Sequence, residues 1–371
     1  MKKFLLLMAL MMMIGAKGYC VDIVKGNTSV SIGGFVTLTM GLYVEGATTS
    51  GNDFPVSNIN MDPAQGDEHR LVFDPTSTRL SIGVTQATDA LGDVKLYIEG
   101  DFRGSGNTLF LRCATIDIKG FTVGQTWSLM TDSKSLATTI DISGANSRTF
   151  FRTQMVAYRY KFDKKYTLGA SLEYPTFKTI GVTMPEVRIP DVVAYVDKSG
   201  KLGYVKIGGV LRTIQYCEGD DVKSVNGWGV RLSGSLNVTP KFTLSAQGMY
   251  GVGVSKYITD LANLSYDVIE DSDGTIYNNT PMYGVMCSAK YKFNDKFSLG
   301  ANYSKAFVDI DSSYSAIDNT YKTGQYISTT LFYTPVKSLI LGAEYLNGVR
   351  NNYGGLSERA QRINTMVRYL F

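Results

Sequence analysis

The C-terminal stretch Arg362-Ile-Asn-Thr-Met-Val-Arg-Tyr-Leu-Phe371 alternates with a period of two. Ile363, Thr365, Val367, Tyr369 and Phe371 share one side, and Arg362, Asn364, Met366, Arg368 and Leu370 share the other. Successive side chains of a strand point to opposite faces. This strand therefore has an apolar face ending in aromatics and a face carrying two arginines. Such a strand suits a wall between lipid and water, which is the pattern of a transmembrane β-barrel. Taken alone, the stretch also leaves open an edge strand of a soluble β-domain.

The other end of the chain supports the first reading. Lys2 and Lys3 precede an apolar run from Phe4 to Gly15, followed by Ala16, Lys17 and Gly18. A charged start, a short apolar run and small residues near a cut point make a secretory signal peptide, expected over 1–20. Tyr19 is bulky where a lipoprotein signal wants a small residue, so lipidation of Cys20 is not expected. No later segment is long and apolar enough for a membrane helix. Glycine (38) and tyrosine (24) are abundant and proline is scarce (9), the balance of an all-β chain with tight turns and aromatic girdles.

Removing Lys2, Lys3 and Lys17 takes the formal charge from +4 to +1, which argues against a nucleic-acid partner. Beyond Cys20 there are three cysteines, with no CxxC and no disulfide framework. Cys113 and Cys287 fall in strand-like runs and Cys217 in a loop. The one histidine, His69, lies beside Glu68 in a polar loop. No metal site, cofactor or histidine-based catalysis is expected from that inventory. With no Ser/His/Asp cluster, an outer-membrane protease or lipase is not expected either.

A short pattern recurs through the second half. It reads Lys165-Tyr-Thr-Leu-Gly-Ala-Ser-Leu-Glu-Tyr174, Lys241-Phe-Thr-Leu-Ser-Ala-Gln-Gly-Met-Tyr250, Lys296-Phe-Ser-Leu-Gly-Ala-Asn-Tyr303 and, more loosely, Lys337-Ser-Leu-Ile-Leu-Gly-Ala-Glu-Tyr345. Each copy follows a short polar turn, a hairpin signal. Longer polar connections are expected at 47–74, 129–149, 176–190, 217–226, 255–280, 309–323 and 349–357. Long loops at one end and short turns at the other give an antiparallel transmembrane barrel of about sixteen strands, residues 21–371 forming a single domain. Short turns would face the periplasm and long loops the outside. Strand one, near 29–44, follows the leader closely, so neither a plug domain nor a helical extension is expected.

Alternation assigns the lumen strand by strand. Arg79, Lys95, Arg103, Arg112, Arg212, Arg231, Arg362 and Arg368 are expected to point inward, with Glu99, Asp101, Glu173 and Glu344 among them. Rings of arginine or lysine favour anions in a water-filled channel. Pairing of these arginines with lumen or loop acids is the alternative. The segment 129–149 carries Asp132, Lys134, Asp141 and Arg148, with Gly144 allowing a sharp bend. Folded inward it would constrict the channel; from these residues alone it could equally be an external loop.

Leu91-Gly-Asp-Val-Lys-Leu-Tyr-Ile-Glu-Gly-Asp-Phe102, Leu109-Phe-Leu-Arg-Cys-Ala114 and Val123-Gly-Gln-Thr-Trp-Ser128 resemble the core of the DcaP-like porins. Ser77-Thr-Arg-Leu-Ser-Ile-Gly83 and Gly227-Trp-Gly-Val-Arg-Leu-Ser-Gly234 fit the same family. The ending at Tyr369 and Phe371 likewise resembles the sorting signal of bacterial outer-membrane proteins. The resemblance implies a sixteen-stranded, trimeric porin of the Gram-negative outer membrane, embedded among lipid and lipopolysaccharide. It further implies an inward third loop and passage of small anionic solutes such as dicarboxylates. Phe110 and Cys113 depart from the family, which often has arginine and histidine there. A non-selective porin and a surface-binding barrel, its loops acidic at 267–273 and 309–318, remain as alternatives.

Overall fold

The computed structural model describes residues 20–371 except 63–69, 178, 184, 186–188 and 220. The expected leader up to Tyr19, and His69 with Glu68, lie outside the described residues. Sixteen antiparallel strands close into a barrel. They are β1 (Thr28–Glu45), β2 (Arg79–Thr88), β3 (Gly92–Asp101), β4 (Phe110–Ile118), β5 (Phe121–Trp127), β6 (Arg152–Phe162), β7 (Tyr166–Glu173) and β8 (Asp191–Gly200). The circle continues through β9 (Gly203–Glu218), β10 (Asp221–Thr239), β11 (Phe242–Val252), β12 (Pro281–Lys292), β13 (Phe297–Val308), β14 (Tyr321–Val336), β15 (Leu339–Asn352) and β16 (Ser357–Leu370).

Closure is made where the first and last strands meet, Phe35 opposite Leu370 and Leu42 opposite Ile363. An open edge in hydrocarbon would leave backbone groups unpaired at several kcal/mol each, so the last strand must find the first. Below this junction a short strand, Cys20–Lys25, pairs with the start of β1 and continues the line of β16, Cys20 lying opposite Gly33. Gly34 and Phe371 exchange backbone hydrogen bonds at 3.1 and 3.2 Å.

Lipid-facing positions follow the period of two. Leu80 and Ile82, Leu96 and Ile98, Val205 and Ile207, Val230 and Leu232, and Val367 and Tyr369 are all exposed on the outer wall. Their partners in the alternation face inward, where many are buried. At the short-turn end, Asp163 and Lys164 both take positive φ (49° and 51°), the pair a type I′ hairpin turn requires. One irregularity bears on function. Glu99 lies opposite Cys113 but Gly100 lies opposite Leu111, so Arg112 is an extra residue in β4. Such a bulge re-aims side chains; here it lets Leu111 face lipid while Arg112 and Cys113 are both buried.

Two expected loops are corrected. Residues 217–218 and 221–226 are strand, because β9 runs through Glu218 and β10 begins at Asp221, so Cys217 lies in a strand. Residues 349–357 are likewise mostly strand, with only a tight turn after Asn352. Polar residues end a membrane-facing alternation without ending a backbone ladder, and both hairpins extend their pairing into polar sequence.

Candidate channel and its lining

Three of the long connections fill one half of the barrel. Loop 3 (128–151) is fastened first to the wall that follows it. Glu173 on β7 accepts from the Ser128 hydroxyl at 2.8 Å and the Leu129 amide at 2.9 Å. Lys206 on β9 donates to the carbonyls of Leu129 and Thr131 at 2.8 and 3.1 Å. The loop then crosses to β15, where Glu344 accepts from the amides of Ile140 and Asp141, both at 2.8 Å. Gly144 turns the chain at φ +57° with the Arg148 guanidinium packed over it.

Loop 1 (46–78) and loop 6 (253–280) lock onto loop 3 through two carboxylates. Asp141 accepts from the Phe54 amide and the Tyr326 hydroxyl, both at 3.2 Å. Asp260 accepts from the Ser57 amide at 2.8 Å, the Asn146 side chain at 3.1 Å and the Tyr321 hydroxyl at 2.6 Å. Burial raises the Asp260 carboxyl, while these donors act to lower it. Around the polar staples lies apolar packing: Phe54, Val56 and Ile59 of loop 1 against Tyr43, Tyr326 and Leu346 of the wall. Removing the ring in Phe54→Ala takes away about 3–5 kcal/mol of packing. Loop 1 is then expected to leave the lumen, and single-channel recording should show a higher conductance than wild type.

The opposite half, from β16 round to β6, carries a row of guanidinium groups. Arg368 lies over the Phe35 ring at 4.4 Å and Arg79 over the same ring at 5.2 Å. Arg112 pairs with Glu99 at 2.7 Å and Asp101 at 2.6 Å, and Glu99 also reaches Arg79 at 3.6 Å. Arg152 lies over Trp127 at 4.8 Å and Phe110 at 5.7 Å, and Arg112 over Trp127 at 5.8 Å. Arg79 acts electrostatically on both Arg368 and Arg152. Arg79 and Arg152 stand four strands apart, about 19 Å along the wall at the usual strand spacing. Four guanidinium groups and the Lys95 ammonium thus share this side with the carboxylates of Glu99 and Asp101.

The eight expected lumen cations divide by what holds them. Arg79, Arg112 and Arg368 lie in this row. Lys95 is exposed on the inward face of β3, with no ion pair among the described residues. The other four are fastenings. Arg103 lies beyond the end of β3 and pairs with Asp53 of loop 1 and with Asp74. Arg212 is fully buried against Asp191 and Asp267. Arg231 meets Asp132 at 3.6 Å, and Arg362 donates to the Asn52 carbonyl at 2.9 Å while lying over Tyr43 and Gly41.

In loop 3, burial acts to raise the Asp132 carboxyl. The hydroxyls of Ser233 and Ser135, with Arg231 and Lys206, nevertheless hold it below its ordinary value. Lys134 is exposed over Tyr204, whereas Asp141 and Arg148 are buried. Arg152 was not among the residues expected in the lumen. The alternation of β6 would place it outward with Val156 and Tyr158. It is the first residue of that strand and still pairs in register with Trp127, and its guanidinium reaches over the Trp127 and Phe110 rings.

A barrel of sixteen strands with a loop folded against its inner wall is the architecture of bacterial porins. A family model described as the porin subfamily matches residues 34–360. The chain belongs to this porin family. The outer membrane channel DcaP of Acinetobacter baumannii shares the porin's fold, with a TM-score of 0.80 at 24% identity over 94% of this chain and 99% of that one. The resemblance to DcaP-like porins is thereby borne out. The anion-selective porin from Comamonas acidovorans superposes at 0.62 with 12% identity, over 93% and 100% of the two chains. Outer-membrane expressed OmpT of Vibrio cholerae gives 0.61 with 12% identity, over 95% and 100%. No curated protein matches this porin in sequence.

Proposed function

We propose that this porin is a passive outer-membrane channel for small hydrophilic solutes, with a preference for anions, dicarboxylates among them. The observation that carries the reading is the excess of guanidinium over carboxylate on the open side of the lumen. Arg79, Arg112, Arg152 and Arg368 face Glu99 and Asp101 there. Fixed cations lower the barrier for an anion entering a narrow aqueous path and raise it for a cation. Guanidinium groups add paired donors that match a carboxylate. Likeness to an anion-selective porin points the same way.

Loop 3 acts as the constriction in this reading, since it occupies the lumen and narrows the path to the arginine wall. The chain is exported by a leader removed near residue 20, inserts with Phe371 at its sorting end, and assembles as a homotrimer among lipid and lipopolysaccharide.

The test is a planar-bilayer recording under a potassium chloride gradient. The expected reversal potential is that of an anion-preferring channel, and liposome swelling in succinate should exceed swelling in an uncharged sugar of similar size. Cation preference would sink the anion reading, and a bilayer silent after verified insertion would sink the channel itself.

A further inference from the structure

The four guanidinium groups on the open side of the lumen are not equivalent. Arg112 is bound to Glu99 and Asp101 at 2.7 and 2.6 Å with its side chain only 5% exposed. Arg79 leans on the same Glu99 at 3.6 Å. These two cations and two anions cancel, and their donors are largely spoken for. Arg152 and Arg368 form no ion pair among the described residues. The carboxylate that acts on Arg152 is Asp101, which Arg112 already holds. The charged group that acts on Arg368 is the cation Arg79. Both free guanidinium groups are supported on ring faces, Arg152 on Trp127 and Phe110, Arg368 on Phe35. Stacking on a ring fixes the plane of a guanidinium while leaving its N–H edges for another partner.

We infer that Arg152 and Arg368 are the residues that determine the channel's selectivity, with the Arg79–Glu99–Arg112–Asp101 network holding the wall in shape. The inference rests on the anion reading above and names the groups responsible for it. An anion passing along this wall meets two unpaired forks, one on the strand leaving loop 3 and one on the closing strand. The ion-paired arginines between them supply shape and no net charge.

The experiment measures the chloride-to-potassium permeability ratio from reversal potentials of purified, heat-modifiable barrels. A unit charge about 4 Å from a passing ion in water changes the passage of chloride and of potassium about fivefold each, in opposite directions, so Arg152→Gln and Arg368→Gln should each lower the ratio about thirtyfold. Arg152→Lys should keep most of the ratio, because charge rather than packing sets it. The charge-neutral double variant Arg112→Gln with Asp101→Asn should leave the ratio near wild type. If the two glutamine variants keep the wild-type ratio, or the lysine variant loses it, the assignment is overturned. Loss of selectivity in the charge-neutral double variant alone would move the role to Arg112 and overturn it as well. A wild-type channel without anion preference would instead bring down the underlying reading, a result seen before any variant is made.

Discussion

Replacing Arg212 with alanine is expected to destabilise this porin by about 3–5 kcal/mol, the range for breaking a buried ion pair from one side. The guanidinium is wholly enclosed, with Nε 3.2 Å from Asp191 and Asp267 3.6 Å away. It also donates to the carbonyls of Gly253 and Thr176, so one side chain ties the start of loop 6 and the segment just after β7 to β8. Lys256 at 2.6 Å and the Tyr257 hydroxyl at 3.0 Å complete the shell around Asp191. Alanine leaves two carboxylates facing one ammonium in an enclosed space. The readout is the temperature at which the barrel loses its compact mobility on a gel, which should fall markedly. Arg212→Lys should recover only part of the loss, since an ammonium cannot span the fork. Adding Asp191→Asn to the alanine variant should restore some stability by removing one orphaned charge. An unchanged unfolding temperature in Arg212→Ala would show that the network contributes nothing.

The second large effect is one of pH. Asp141 is buried where loops 1 and 3 meet the wall, and burial, then Asp53 and Glu344, push its carboxyl up to about 7. Arg362 and Arg148 oppose that rise, and the Tyr326 hydroxyl donates to the same carboxylate. A carboxyl raised in the folded state stabilises it most while protonated. Its contribution is complete below the ordinary value of 3.8 and is lost as pH rises through about 7. At about 1.4 kcal/mol per unit, the whole span is on the order of 4 kcal/mol. The junction of loops 1 and 3 should therefore be tighter at about pH 6 than at about pH 8. Single-channel current should become noisier, with a higher mean, over that rise. Asp141→Asn should hold the quiet state across the range. A conductance that ignores pH in wild type, or that tightens as pH rises, would contradict the assignment.

The barrel was largely legible because its signal is local. Period-two alternation in Ser77–Gly83, Asp93–Asp101 and Ile363–Phe371 marks lipid and lumen without reference to any distant residue. Turn chemistry at Asp163 and Lys164 marks the ends of strands in the same way. Where alternation was the wrong guide, the reason is also local. The segments 217–218 and 221–226 are largely polar yet paired, because a strand leaving the membrane no longer needs an apolar face. Arg152 lies at a strand's first residue, where its long side chain reaches the Trp127 and Phe110 rings.

The candidate site was legible only in its residue types. Eight inward cations could be named from the period of two, but half of them turn out to fasten loops. That division depends on partners remote in sequence: Arg362 with Asn52, Arg103 with Asp53, Arg212 with Asp267, Arg231 with Asp132. Nothing in the spacing of the arginines distinguishes a fastened guanidinium from a free one.

By itself, then, the sequence determined the wall: a membrane barrel of sixteen strands, the facing of its side chains, and the strand through Phe371 that closes it. Each of these follows from backbone geometry that repeats every two residues. Tertiary structure alone decided which half of the lumen is filled and which charges remain unpaired in the other. Those outcomes depend on three loops, far apart in the chain, meeting at Asp141 and Asp260 inside a closed sheet. Arg362 and Arg368 show the difference within one strand. Both point inward by the same alternation, but Arg362 is covered by loop 1 while Arg368 faces the open side over Phe35.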